Sequence, residues 1–430
     1  MHISPRLALD IYSLVTAAAA LPAAGFLKYK RRRDPPYGKD FWQLLGLRLP
    51  RKSRSVWFHA ASLGEANALK PLLEAFVKAR PEVNVIFTSL TPTGHGVIAP
   101  MNGVQTLFAP LDSPCVLRRF FRALHPAALF IVDTELWPCM LEEARRRHCP
   151  VTLVNARMQE RSCQSYLKYP ELSAALLSSK LHAVSCVSEA DADRFRRLGV
   201  PERAISVNGS LKYDLHPDEA LFKEGRAQRK LHLGSTPVFC ASSFHEEEIP
   251  LLLEACGALV QQVPKLSLVL VPRHPEGAEK CAHDLKQLGL EFVRRSTLSP
   301  APFKGGILLG DTMGEMEYFL GLSSVVFLGG SFCSTGGHNP LEPAYFALPC
   351  LTGPDYHNFQ EQFDELQHAG GAQVVRSANE LATRAGELLL NPAKAAAAGA
   401  QAQEVQRKGR GALQATLKII NRILTECGFS

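Results

Sequence analysis

The sequence predicts an α/β protein of two parallel sheets, each covered by helices on both faces, behind an apolar amino-terminal segment. Three observations carry that expectation. Short β-branched or apolar runs alternate with stretches of helical periodicity, twice over. A polar stretch near 208–236, with Asn208-Gly209 and Pro217, separates the two series. The positive charge is gathered ahead of both: the 430-residue chain has a formal net charge of +7, yet residues 1–54 hold eleven Lys/Arg against Asp10, Asp34 and Asp40. The remainder is close to neutral, so a basic surface spread over the body, as many nucleic-acid binders have, is not supported. An apolar share of 46% with 21% charged residues excludes a disordered or polytopic chain.

The elements follow in order. Ile11 to Leu27 carries no charge and is followed by Lys28, Lys30, Arg31, Arg32 and Arg33. It falls short of the roughly 20 apolar residues a spanning helix needs, and Pro22 is expected to break it. A single span would place the basic flank in the cytoplasm. A helix lying in the interface, held by the basic cluster on anionic lipid, would put the body on the same side. A buried first helix is the bland alternative, and a cleaved signal peptide is disfavoured because the basic cluster follows the apolar run. We favour attachment to a membrane, facing the cytoplasm, without choosing between spanning and lying.

The first series of strands is expected at Val56–Ala60, Val83–Thr88, Thr106–Ala109, Leu129–Val132, Val151–Asn155, Leu181–Val187 and Ile205–Val207. The second is expected at Val238–Ala241, Leu266–Val271, Phe292–Arg294, Ile307–Leu309, Val325–Leu328, Cys350–Leu351 and Gln373–Val375. Leu413, Leu417, Ile420 and Leu424 recur at helical spacing and close the chain. The expected division is a membrane anchor at 1–33, an acceptor-binding domain at 34–208 and a nucleotide-binding domain at 209–430 that includes the terminal helix. Eleven cysteines without a CxxC argue for reduced thiols rather than a disulfide framework or a zinc ribbon.

Parallel sheets bind ligands beyond the carboxyl ends of their strands, so the residues there are the informative ones. The first series ends in His59-Ala60-Ala61-Ser62-Leu63-Gly64-Glu65, Thr91-Pro92-Thr93-Gly94, Asp133-Thr134-Glu135-Leu136-Trp137-Pro138 and Asn155-Ala156-Arg157. The second offers Pro272-Arg273-His274-Pro275, Gly310-Asp311-Thr312-Met313-Gly314-Glu315 and Gly336-Gly337-His338-Asn339-Pro340-Leu341-Glu342. Glycine-rich turns beside Arg273 suit a nucleotide phosphate. The carboxylates Glu65 and Glu135 suit general-base work or charge stabilisation. A nucleotide on one domain and an acceptor on the other is a group-transfer arrangement.

These motifs, with GSLKYD at 209–214, run in the order of the 3-deoxy-D-manno-octulosonic acid (Kdo) transferase family of lipopolysaccharide synthesis, which the chain resembles from about residue 35 to 365. The resemblance implies a membrane-associated glycosyltransferase of GT-B architecture, with two Rossmann-like domains facing across a cleft. It implies inverting transfer of Kdo from CMP-Kdo to a lipid A precursor, lipid IVA, with CMP-Kdo as a substrate and no metal or other cofactor. By the same resemblance Glu65 is the proton acceptor, while Glu135 and Lys212 stabilise the transition state. Pro272, Arg273, Met313, Gly314, Glu315, Asn339, Pro340, Leu341 and Glu342 hold CMP. Three departures stand out: Phe41-Trp42-Gln43-Leu44-Leu45-Gly46 lacks the family's charges, Cys139 follows TELWP in place of Asn, and His245-Glu246-Glu247-Glu248 lacks a glycine.

Some residues are read as structural. Asp191-Ala192-Asp193 is a literal DxD but lies in the first turns of a helix capped by Ser188. Arg145, Arg146 and Arg147 fit a solvated helix end. His274 and His338 are expected to shape their loops, and the helix dipole is expected to pull the Glu65 pKa down. A GT-B enzyme with another nucleotide sugar, and a non-catalytic nucleotide- or lipid-A-binding protein, are the rival readings.

Overall fold

The computed structural model describes residues 4–30, 37–50, 53–298 and 302–429. The chain forms two compact units, Met1–Asp214 with Gly409–Ser430, and Leu215–Lys408. Each contains one seven-stranded parallel sheet.

In the first unit the strands are β1 (Ser55–His59), β2 (Val85–Ser89), β3 (Val104–Phe108), β4 (Pro126–Val132), β5 (Val151–Ala156), β6 (Ala183–Cys186) and β7 (Ile205–Val207), in spatial order β3-β2-β1-β4-β5-β6-β7. Side chains alternate across the sheet, as the two-residue strand repeat requires. Trp57, Ile86, Leu129, Ile131, Leu153 and Val184 point to one face, against the helices Pro114–Leu124, Pro138–Arg146 and Glu189–Arg197. Val56, Phe58, Phe87, Phe130 and Val154 point to the other, against Leu63–Ala79. Both faces being buried explains why the strands read as nearly unbroken apolar runs.

The second unit repeats the plan with β8 (Val238–Phe244), β9 (Ser267–Pro272), β10 (Val293–Arg294), β11 (Ile307–Leu309), β12 (Val325–Leu328), β13 (Cys350–Thr352) and β14 (Ala372–Val374), in the order β10-β11-β9-β8-β12-β13-β14. Phe239, Ala241, Leu268, Leu270, Phe327 and Leu351 pack with the helices Ile249–Gln262 and Ala378–Leu390. All fourteen expected strands are present, with ends shifted by at most three residues. All eleven cysteines are unpaired, as the spacing suggested.

Two expectations are corrected. The terminal helix, Ala412–Glu426, belongs to the first unit rather than the second: Leu413, Ile420, Ile423 and Leu424 are buried in the β1–β4 core. The reason lies in the GSLKYD motif. The Asp214 carboxylate accepts the backbone N–H groups of Gly411 (2.8 Å) and Leu413 (2.7 Å), capping that helix, and Tyr213 lies against Gly409 where a Cβ would collide. The division between units therefore falls after Asp214, six residues beyond the expected boundary.

The second correction concerns Pro22, which does not end the first helix; Pro5–Lys30 is continuous through it. A proline removes one intrahelical hydrogen bond, and packing on the body offsets that loss. Tyr12 Oη donates to Asp112 (2.9 Å), Ser13 and Thr16 lie against Cys139 Sγ, and Ala20 and Ala24 are buried with Tyr37, Phe41, Leu44, Leu45 and Phe108. The opposite side exposes Leu7, Ile11, Leu14, Val15, Leu21 and Phe26. Lys28 and Lys30 end the helix; Arg31, Arg32 and Arg33 lie outside the described residues.

Candidate active site

In the first unit, strand order reverses between β1 and β4, the position where open parallel sheets leave a crevice for ligands. The segments that follow those two strands carry Glu65 and Asp133–Trp137. Ser62 caps the helix Leu63–Ala79, its Oγ accepting the Glu65 N–H, and Glu65 is the third residue of that helix. The Glu65 carboxylate turns back over the cap. It accepts Ser62 Oγ–H (2.7 Å) on one oxygen and the Ala61 N–H (2.7 Å) on the other. Gly94 lets the next loop approach, since a Cβ there would fall 2.5 Å from Ser89 Oγ and 3.0 Å from the Ser62 carbonyl.

Burial pushes the Glu65 pKa up to about 7, against the hydrogen bonds from Ser62 and Ala61 and with the help of the Asp133 and Glu135 charges. The expected downward pull of the helix dipole is thus overturned: desolvation disfavours the carboxylate more than the helix start favours it. A carboxylate of that pKa is balanced between holding and taking a proton near neutrality.

Asp133 is the residue that motif reading passed over. It follows β4 in the left-handed region (φ 56°), as does Asn155 near the end of β5 (φ 55°), and Asn155 Nδ2 donates to Asp133 Oδ1 at 2.7 Å. Asn155 Oδ1 in turn accepts the Leu211 N–H (2.9 Å), which ties the turn bearing Lys212 to both strand ends. Burial lowers the Lys212 pKa, as does Arg157, while Asp133 raises it. Burial likewise holds Asp133 above the ordinary carboxylate range, against its Asn155 hydrogen bond and the Arg157 and Lys212 charges. Glu135 instead accepts Trp137 Nε1–H at 2.6 Å. Of the two, Asp133 acts on Glu65 more strongly. Its signal was in the sequence all along, as an acid placed directly at a strand end.

In the second unit the reversal lies between β8 and β12. Three motif segments converge nearby. Arg273 leaves β9 with its N–H on the Phe244 carbonyl (2.8 Å), and Asn339 Oδ1 accepts the Leu341 N–H (3.1 Å). Glu342, on the short helix Leu341–Tyr345, has its pKa pushed up to about 7 by burial and by Glu317, against Arg273 and Asn339. Pro272, Pro340 and Leu341 are buried supports, while Met313 and Gly314 are exposed. Glu315 is engaged by Arg295 Nη2 (2.7 Å) and by the Thr312 hydroxyl, so its carboxylate positions the loop rather than pointing free.

The residues read as structural behave so. Asp191 accepts the Met158 N–H (2.9 Å) and pairs with Arg194, with Ser188 as the cap. Arg145 and Arg146 pair with Glu142, and Arg147 with Glu143. Among the described residues no group of three or more His, Cys, Asp or Glu side chains could hold a metal ion.

Residues 39–215 match the family model described as 3-deoxy-D-manno-octulosonic-acid transferase (kdotransferase). The chain is 34% identical over 374 residues to the 3-deoxy-D-manno-octulosonic acid transferase of Haemophilus influenzae, covering 86% of this chain and 87% of that protein. It is 32% identical over 375 residues to the Bordetella pertussis protein of the same description, covering 84% and 86%. In fold it is similar to a glycosyltransferase from Rickettsia africae, with TM-score 0.52 and 12% identity over 87% of this chain and 99% of that one.

Proposed function

The chain belongs to the 3-deoxy-D-manno-octulosonic acid transferase family of glycosyltransferases, and on that premise we propose that it moves Kdo from CMP-Kdo to lipid IVA, the lipid A precursor, with Glu65 as proton acceptor. The observation that carries the proposal is the Glu65 carboxyl, held by Ser62 and Ala61 at a strand-reversal point and poised to ionise near neutrality. Glu65 takes the proton of the acceptor hydroxyl as its oxygen bonds to the anomeric carbon of Kdo. The bond from that carbon to the CMP phosphate oxygen breaks, and its electron pair leaves with CMP. Attack opposite to departure inverts the anomeric centre. Lys212, with Glu135 and Asp133, offsets charge on the acceptor side.

The unit bearing Arg273 holds the nucleotide. Arg273 neutralises the phosphate, while Asn339 and Glu342 meet the rest of CMP, with no metal or other cofactor taking part. The Pro5–Lys30 helix holds the protein on the cytoplasmic face of the inner membrane. Its polar side is fastened to the body through Tyr12 and Asp112, so the helix lies in the interface with Leu14 and Leu21 toward the acyl chains.

The test is product analysis with CMP-Kdo and lipid IVA, in the presence of a chelator. Wild type transfers Kdo, and Glu65→Ala loses about 10²–10⁴-fold in turnover, the usual contribution of a general base. Near-normal transfer by Glu65→Ala removes Glu65 from the role.

A further inference from the structure

Three histidines lie around Arg273 with no role in the transfer described above. His245 follows β8 and opens the turn Glu246–Glu248: its backbone carbonyl accepts the Glu248 N–H at 3.0 Å, and the Glu248 carboxylate accepts the His245 N–H at 2.9 Å. His245 Nε2 stands 3.3 Å from His338 Nε2, with the rings parallel to within 3°. His338 donates to the Ser243 backbone, so an uncharged His338 ring presents an acceptor nitrogen to His245, which donates across the gap. One hydrogen occupies the space between the two ring nitrogens.

The surroundings enforce that neutrality. Burial, Arg273, His245 and His274 together push the His338 pKa down to about 4, against the Ser243 hydrogen bond. His274 meets the His245 ring edge-on at 5.9 Å. Two neighbouring carboxylates are committed, while the Glu342 carboxyl, pushed up to about 7 by burial, also feels the Arg273 charge. Glu248 accepts the N–H groups of Gly330, Ser331 and Phe332 at 2.7–3.0 Å, and Asp355 pairs with His357 at 2.6 Å while accepting from Gly336. The position is also tight, because a Cβ on Gly330 (φ +69°) would fall 2.9 Å from His338 Nε2. Here is a proton vacancy held open mainly by burial and the Arg273 charge.

We propose that the His245–His338 pair is a proton-linked receptor for a phosphate monoester: an anion seated on Arg273 cancels the charge that keeps His338 neutral, and the pair takes up a proton from solvent as the anion binds. The inference rests on reading Arg273 as the contact for the nucleotide phosphate. It adds a discrimination that reading does not contain. A phosphodiester carries one charge and a terminal monoester approaches two above its second pKa of about 6, so in that range the pair favours the released nucleotide over an intact nucleotide–sugar.

Calorimetric titration of the full chain with CMP, at pH 6.5 in two buffers of different ionisation enthalpy, measures the proton uptake. After allowance for the proton that free CMP itself carries at this pH, its second pKa being about 6, wild type should take up at least about a third of a proton per CMP bound, and cytidine 5′-methyl phosphate, a diester without that ionisation, less than half of that. His338→Gln and His245→Gln should bind CMP with the uptake largely lost. CMP binding with no uptake in wild type, or with uptake unchanged in both variants, overturns the proposal and leaves the nucleotide site standing. Absence of CMP binding to wild type overturns the nucleotide reading, and this proposal with it. Because a variant can fail to fold, the His338 imidazole resonance of wild type is also titrated by NMR. Its midpoint should rise when CMP is added, and an unmoved midpoint overturns the proposal equally.

Discussion

Replacing Glu65 by Gln separates the charge of this side chain from its shape. The carboxyl ionises near 7 in the folded protein and near 4.5 in an unperturbed chain. Below pH 4.5 both states are protonated and the group has no effect on stability. Between 4.5 and 7 the unfolded chain ionises first, so stability falls as pH rises, and above 7 the loss is constant. At 1.36 kcal/mol per pKa unit, and discounted for its partial exposure, that loss is about 2–3 kcal/mol. Gln keeps the size and the acceptor for the Ala61 N–H but carries no charge. Thermal melts of wild type and Glu65→Gln at pH 4.5 and pH 8 read the difference. The variant should match wild type at the lower pH and melt roughly 4–10 °C higher at the upper one, by the usual scaling for a unit of this size. A gap that does not change with pH would refute the claim that burial holds the proton on Glu65. A variant gaining stability while losing transfer is the signature of a site built at a cost to the fold.

The remaining predictions concern the other parts of the site. Asp133→Asn keeps an acceptor for Asn155 but removes a charge that raises the Glu65 pKa, so the acid limb of the rate profile should move down by about half a unit to one unit; an unmoved limb counts against Asp133. Arg273→Ala should weaken CMP binding about 10–100-fold by calorimetry, the range for a lost charge-assisted hydrogen bond, and unchanged affinity would place the phosphate elsewhere. Leu14→Asp with Leu21→Asp should lower sedimentation with phosphatidylglycerol-containing vesicles by about 10-fold or more, since burying one leucine is worth about 1.5–3 kcal/mol. Equal sedimentation would show that this face does not enter lipid.

Much of the fold was legible because both sheets are buried on both faces. Each strand then reads as an apolar run, and its period contrasts sharply with the helices between. Strand ends were readable as candidate sites for the same reason: Glu65, Arg273 and Asn339 follow apolar runs that give way to glycine and polar residues. Asp133 was visible as an acid directly after an expected strand; what no periodicity encodes is the left-handed backbone, φ 56° beside the matching Asn155, that sets it there. The pKa of Glu65 was misjudged because a helix start is visible in sequence and desolvation is not. The Arg295–Glu315 pair, twenty residues apart, is a contact that sequence periodicity does not encode.

The sequence by itself therefore determined the two α/β sheets, their order along the chain, the glutamate at the first strand loop and the basic, apolar amino terminus. These are local properties, set by periodicity, capping and composition within a few residues. The tertiary structure decided which unit the terminal helix joins, how Asp133 and Asn155 seat the Lys212 turn, and how His245 meets His338 across 93 residues. It also decided which charges lose their water. Contacts between distant segments and the removal of solvent depend on the whole packed chain, and no stretch of sequence carries them alone.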